Sequence, residues 1–87
     1  MPDLEQEVIR GHEAERIMRS PLWNEAWVVY EERLTSSWAQ SGTDQTDQRE
    51  RIWLALQIAR KVKNHLESIM KTGQLAQKQV EGLNHGK

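Results

Sequence analysis

The stretch that most constrains this chain is Arg49 to Met70, RERIWLALQIARKVKNHLESIM, the longest run with helical periodicity and no internal breaker. At about 100° per residue, Ile52, Ala55, Leu56, Ala59, Val62, Leu66, Ile69 and Met70 share one broad face. Leu54, Ile58 and His65 widen it on one side. The apolar arc spans roughly 200°, twice what a helix lying on one neighbour needs. Two neighbours are therefore required, either two helices of the same chain or one helix and a second subunit. Trp53 lies outside the arc, on the charged side with Arg49 and Arg60. There it lies flat over a neighbouring helix or stacks on Arg60, or else it contacts a partner.

The ends of this helix carry recognisable signals. Asp47 with Glu50 has capping-box spacing, and Thr46 is an alternative cap. Lys71-Thr72-Gly73 is expected to end it, with Gly73 in the left-handed position after the last turn. The predicted helix covers residues 47–72.

Residues 3–19 predict a weaker helix. Leu4, Val8, Ala14 and Met18 form a loose face, and Gly11 lowers helix stability by about 1 kcal/mol relative to Ala. This segment is expected to pack less firmly, or to be ordered by a partner. Ser20-Pro21 then restarts the helix, since Ser caps well and Pro suits the first helical position. Over residues 21–40, Trp23, Trp27, Tyr30, Leu34 and Trp38 form a narrow aromatic stripe. Leu22, Ala26 and Val29 flank it, and Val28 stands apart and is expected to be exposed. Gln40 to Thr46 is a polar loop, short enough to favour an antiparallel pair of long helices. The predicted hairpin core joins the aromatic stripe to Ile52, Leu56, Ala59, Leu66 and Met70. Residues 77–87 are expected to be a frayed tail.

The expected fold is thus all-α and a single domain over residues 1–76. It comprises a short N-terminal helix and a long antiparallel hairpin, with homo-oligomerisation as one use of the spare apolar arc. Eighty-seven residues give only a modest core. The absence of cysteine excludes disulfides and Cys-based zinc sites. Twelve basic and thirteen acidic residues give a net charge of −1, which is no electrostatic footprint for nucleic acid or an anionic membrane surface. No apolar run approaches 18 residues, so no membrane partner is expected.

The constellations that could carry chemistry fall short. His12-Glu13-Ala14-Glu15-Arg16 starts like a zinc-protease helix, but Arg16 stands where the second His is needed. His65 has Glu67 and Ser68 close in sequence, and neighbours at that spacing diverge on a helix. A partly buried structural role is expected for it. No catalytic residue, metal ligand or cofactor site is assigned. The tentative partner-binding set is Trp53, Arg49, Arg60 and Val28. Glu67 and Lys71 form a favourable i,i+4 pair.

Three segments carry a resemblance: HEAERIMRSPLWNEAW, the polar loop, and TDQRERIWLALQIARKVKNHLESIMKTGQLA. Together they resemble small, mostly uncharacterised proteins of tailed bacteriophages and prophages, often encoded among head and packaging genes. The resemblance covers about Gly11 to Ala76 and brings no catalytic residues with it. It implies phage origin, a location in the bacterial host cytoplasm or on the virion, and a non-enzymatic role in assembly or packaging. The partner would be another copy or another phage protein. Two alternatives stand beside it: a DNA-binding packaging factor similar to a small terminase subunit, and an inhibitor that occludes a host protein. The first would need a recognition helix, which these helix lengths suit poorly.

Overall fold

The computed structural model describes residues 3–85, which form three α-helices and no strand. Helix α1 spans Leu4–Met18, α2 spans Pro21–Gln40 and α3 spans Thr46–His85. The last is 40 residues long, or about 60 Å at 1.5 Å per residue. It sets the length of the molecule, whose principal extents are 67 × 26 × 16 Å. The radius of gyration is 18.7 Å, against about 12 Å for a compact domain of this size.

Local chemistry explains the first two helices. The Asp3 carboxylate caps α1, accepting from the Gln6 N–H at 2.8 Å. Ser20 caps α2 by accepting from the Trp23 N–H, and Pro21 occupies the first turn. Between them the Asn24 side-chain amide donates to the Met18 and Ser20 carbonyls, at 2.9 and 3.0 Å. One side chain thus satisfies acceptors on both sides of the α1–α2 joint.

Four expectations are corrected here. Gly73 does not end α3. It adopts helical geometry, no described residue has positive φ, and the helix runs through residues expected to fray as far as His85. Residues 86–87 of the expected tail lie outside the described residues. Neither Asp47 nor Thr46 is the N-cap, since both lie inside α3. The Gln45 carbonyl accepts from the Arg49 N–H, and the Gln45 side chain accepts from the Gly42 N–H at 2.9 Å. His65 is exposed rather than partly buried. Finally, α1 is not the loosely held helix. It packs on α3 more densely than α2 does.

The reason for that last correction is a close approach of two glycines. A methyl placed on Gly73 would fall 2.6 Å from the Gly11 Cα and 2.9 Å from the Glu7 carbonyl oxygen. Any side chain at either position would push the helices apart. Ala14 and Ala76, 2% and 1% exposed, extend the small-residue contact on both sides. Residues 77–85 stay helical because α1 provides the neighbour they need. The N-terminal turn of α1, from Leu4, lines a surface depression together with Val80 and Leu83.

The seam along α3 has a seven-residue repeat. Ile52, Ala59 and Gly73 are buried, and Leu66 and Val80 are half-buried. All five are spaced by seven. In α1, Leu4, Gly11 and Met18 share the same spacing, as do Trp27 and Leu34 in α2. A strict seven-residue period is that of a coiled coil, which keeps one stripe against its partner over many turns. Gly11 meets Gly73, Glu31 pairs with Lys63, and Trp38 lies under Arg49.

The glycine contact gives a pair of predictions with opposite signs. Gly82 is also helical, but a methyl there meets nothing within 4 Å. Gly82→Ala should raise stability by up to about 1 kcal/mol through helix propensity. Gly73→Ala, with the same propensity gain, should lower it by about 1–3 kcal/mol because the clash is with backbone. Urea unfolding followed by circular dichroism reads both. Equal effects at the two positions would remove the close approach as the explanation.

Candidate interaction surface

Away from the glycine contact, the packing opens. Helix α2 has no buried residue, although Trp23, Trp27 and Leu34 are half-covered. Of the expected hairpin core, Ile52 and Ala59 are buried, and Leu56, Leu66 and Met70 are half-buried. Tyr30 and Trp38 are exposed, which corrects their assignment to a closed core. The physical reason is the thinness of the molecule. Two helices side by side can cover only the facing stripes of each, and the roughly 200° arc of α3 extends well past that stripe.

The uncovered arc forms one side of an apolar groove of about 620 Å³. Trp23, Ala26, Trp27 and Tyr30 of α2 form one wall, and Ala55, Ile58, Ala59 and Val62 of α3 the other. The aromatic wall is ordered by edge-to-face contacts. The Trp23 and Trp27 rings lie 5.3 Å apart at 76°, and those of Trp27 and Tyr30 lie 6.4 Å apart at 77°. Lys63 holds the wall from α3, with its ammonium 5.9 Å from the Trp27 ring and 3.6 Å from the Glu31 carboxylate. Ile58 is 62% exposed, and Leu54 and Val62 beside it are also exposed. Together they make a contiguous exposed apolar strip along α3.

The tentative contact residues divide differently. At about 100° per residue, Val28 and Trp53 turn to the opposite side of the α2–α3 seam from Ala26 and Ile58. Both are 55% exposed. Arg60 is exposed as well. Arg49 turns inward instead. Its guanidinium lies 3.8 Å from the Trp38 ring centroid, and its Nε is buried without a hydrogen-bond partner. Stacking on the ring offsets part of that lost hydrogen bond. The two cation–π contacts among the described residues therefore involve Arg49 and Lys63, not Arg60.

Sequence reasoning named every aromatic member of the groove, but as buried core. It placed Ile58 only as an extension of the α3 arc. The width of that arc was the signal available for the open face.

Among the described residues, no three His, Asp or Glu side chains are grouped to hold a metal ion. No helix is long and apolar enough to cross a membrane. The ion pairs Glu15–Arg19 at 2.6 Å and Glu67–Lys71 at 3.2 Å are i,i+4 pairs on helix surfaces, each of little energetic weight. No known protein family, curated protein or solved structure matches the chain.

The Arg49–Trp38 stack closes the end of the α2–α3 pair next to the loop. A double-mutant cycle with Arg49→Ala and Trp38→Ala should give a coupling energy of about 0.5–1 kcal/mol in thermal or urea unfolding. Strict additivity of the two substitutions would show that the stack contributes nothing.

Proposed function

We propose that this chain is a non-enzymatic helical interaction protein that acts through helix-on-helix packing at the α2–α3 groove, in the assembly or packaging of a tailed phage. In this reading α2 and α3 form an antiparallel hairpin with one apolar face left for a partner. The observation that carries the proposal is the groove itself. Its walls are almost wholly apolar, it is open along one side, and Ile58 stands 62% exposed at its edge. An apolar helix face in water is unfavourable by about 25 cal/mol per Å², so a surface of this kind is retained where a partner covers it. The phage setting comes from the resemblance carried by Gly11 to Ala76. The groove itself is lined by no carboxylate, imidazole or serine hydroxyl, which favours binding over catalysis there.

The DNA-binding alternative draws no support from charge. Basic and acidic residues nearly balance, and the groove walls carry no basic side chain. The host-inhibitor alternative would use the same groove and differs only in the protein captured.

A tagged chain isolated from phage-producing cells is expected to bring down a virion or packaging protein. Ile58→Glu, which places a charge in the groove, should cut that capture by roughly tenfold or more. A host protein lost on the same substitution would establish the inhibitor reading instead. A DNA gel shift that weakens steeply with salt and survives Ile58→Glu would replace both with the packaging-factor reading.

A further inference from the structure

With the groove taken as the interaction surface proposed above, its length, its walls and its rims describe the chemistry of what it takes. We infer that the occupant is an amphipathic helix of another protein, with an apolar stripe two turns long and carboxylates along both flanks. The stripe lies on the groove floor, and the carboxylates meet Arg33 on the α2 side and Arg51 and Lys61 on the α3 side.

Length and backbone chemistry select a helix. The walls run from Trp23 to Tyr30 and from Ala55 to Val62, about 10 Å each at 1.5 Å per residue. That is two helical turns, which a helical occupant covers with side chains at i, i+3 or i+4, and i+7. Both walls are themselves helices, whose backbone N–H and C=O groups bond within each helix. They offer no strand edge to an extended peptide. The lining side chains add as polar groups only the indole N–H of Trp23 and Trp27 and the Tyr30 hydroxyl. An extended chain laid there would bury backbone groups without partners, whereas a helix satisfies its own.

Charge selects the flanks, once the cations already engaged are set aside. Arg49 stacks on Trp38, and Lys63 is held by Glu31 and the Trp27 ring. Three others border the groove. Arg33 follows Ala26 by seven residues and Tyr30 by three, so it continues the α2 wall. Arg51 precedes Ala55 by four and Ile58 by seven, and Lys61 follows Ile58 by three, so both flank the α3 wall. All three are exposed, and none enters an ion pair among the described residues.

Carboxylates are missing from the same rows. Asp47 is the nearest on α3, one turn before Arg51 and beyond the end of the groove. Glu25 and Glu32 turn with Val28 to the far side of α2. Free cations beside an apolar floor favour carboxylates on the flanks of the occupant and disfavour lysines there. A nucleic acid would meet the same cations but leave the Ile58 and Val62 side chains uncovered.

The test uses the full chain and two labelled synthetic peptides of about 14 residues, long enough to form a helix. Both carry leucine at i, i+4, i+7 and i+11, and they differ only in their flanks, glutamate in one and lysine in the other. In fluorescence anisotropy at low salt, the glutamate peptide is expected to bind roughly tenfold more tightly than the lysine peptide. That preference should shrink between about 0.05 and 0.5 M salt. Ile58→Glu should weaken the glutamate peptide by roughly tenfold or more. Arg33→Glu combined with Arg51→Glu should reverse the preference, and Arg33→Gln with Arg51→Gln should remove most of it. These side chains are exposed, so the helical circular dichroism of every variant should match the wild type. Equal binding of the two peptides, tighter binding of the lysine peptide, or no binding of either at millimolar concentration would overturn the inference. So would undiminished binding of a glutamate peptide with a central proline, which cannot hold a helix.

The groove and its flank chemistry can fail separately. A protein captured from phage-producing cells that is lost on Ile58→Glu, yet kept by Arg33→Glu with Arg51→Glu, retains the groove and overturns the acidic flanks. Capture that survives Ile58→Glu removes the groove as the surface of action.

Discussion

The contact on which the rest of this molecule depends is the one between Gly11 and Gly73. It is where two helix backbones come closest, with no room for a single methyl between them. That proximity aligns α1 along the C-terminal half of α3 and gives residues 73–85 a reason to remain helical. Because Asn24 locks the α1–α2 joint through two carbonyls, the placement of α1 also fixes where α2 begins. The aromatic stripe then falls beside Ala55, Ala59 and Val62. A packing decision at one end of α3 thus determines which residues line the groove at the other.

This construction explains an unusual division of labour. At the glycine end, small residues let backbones meet, so dispersion contacts are dense although little side chain is buried. At the groove end, Trp23, Trp27 and Tyr30 are too large to be covered by one neighbouring helix. Their edge-to-face contacts order them against each other, and the Lys63 ammonium lies over the Trp27 ring. The wall is ordered by contacts within the chain itself. Side chains already fixed in their bound geometry lose less entropy on association.

Much of this was legible in the sequence, and the misses have a common cause. The Ser20-Pro21 restart, the polar loop after Gln40 and the excess apolar arc of α3 are local signals, and local physics decides them. Gly11 and Gly73 carry local signals too, one for weakness and one for termination. Both are overridden by each other at a sequence separation of sixty-two, a distance over which propensity has nothing to say. A wheel at 3.6 residues per turn also blurs a seven-residue repeat over five turns or more. It leaves Ile52 and Gly73 about 60° apart, although both are buried. Laid out by sevens, Ile52, Ala59, Leu66, Gly73 and Val80 declare a single stripe, and Gly73 becomes a member of the seam instead of its end. Arg49 was missed differently. Its partner Trp38 sits across the loop, and nothing in either position announces a stack.

The seam and the open face are linked by a further constraint. A chain of this length could have folded back on itself into a compact bundle had α3 been broken near Gly73. The arc of the N-terminal half would then have been covered by its own C-terminal half, and the groove would not exist. Gly11 removes that option, because its contact makes the unbroken form of α3 the one with a partner along the whole length. With α1 beside the C-terminal half of the 40-residue α3 and α2 beside its N-terminal half, α3 has one neighbour at most points along its length. Its outer apolar stripe is therefore left uncovered by the chain itself. The open face is thus a consequence of the same backbone contact that holds α1 on α3.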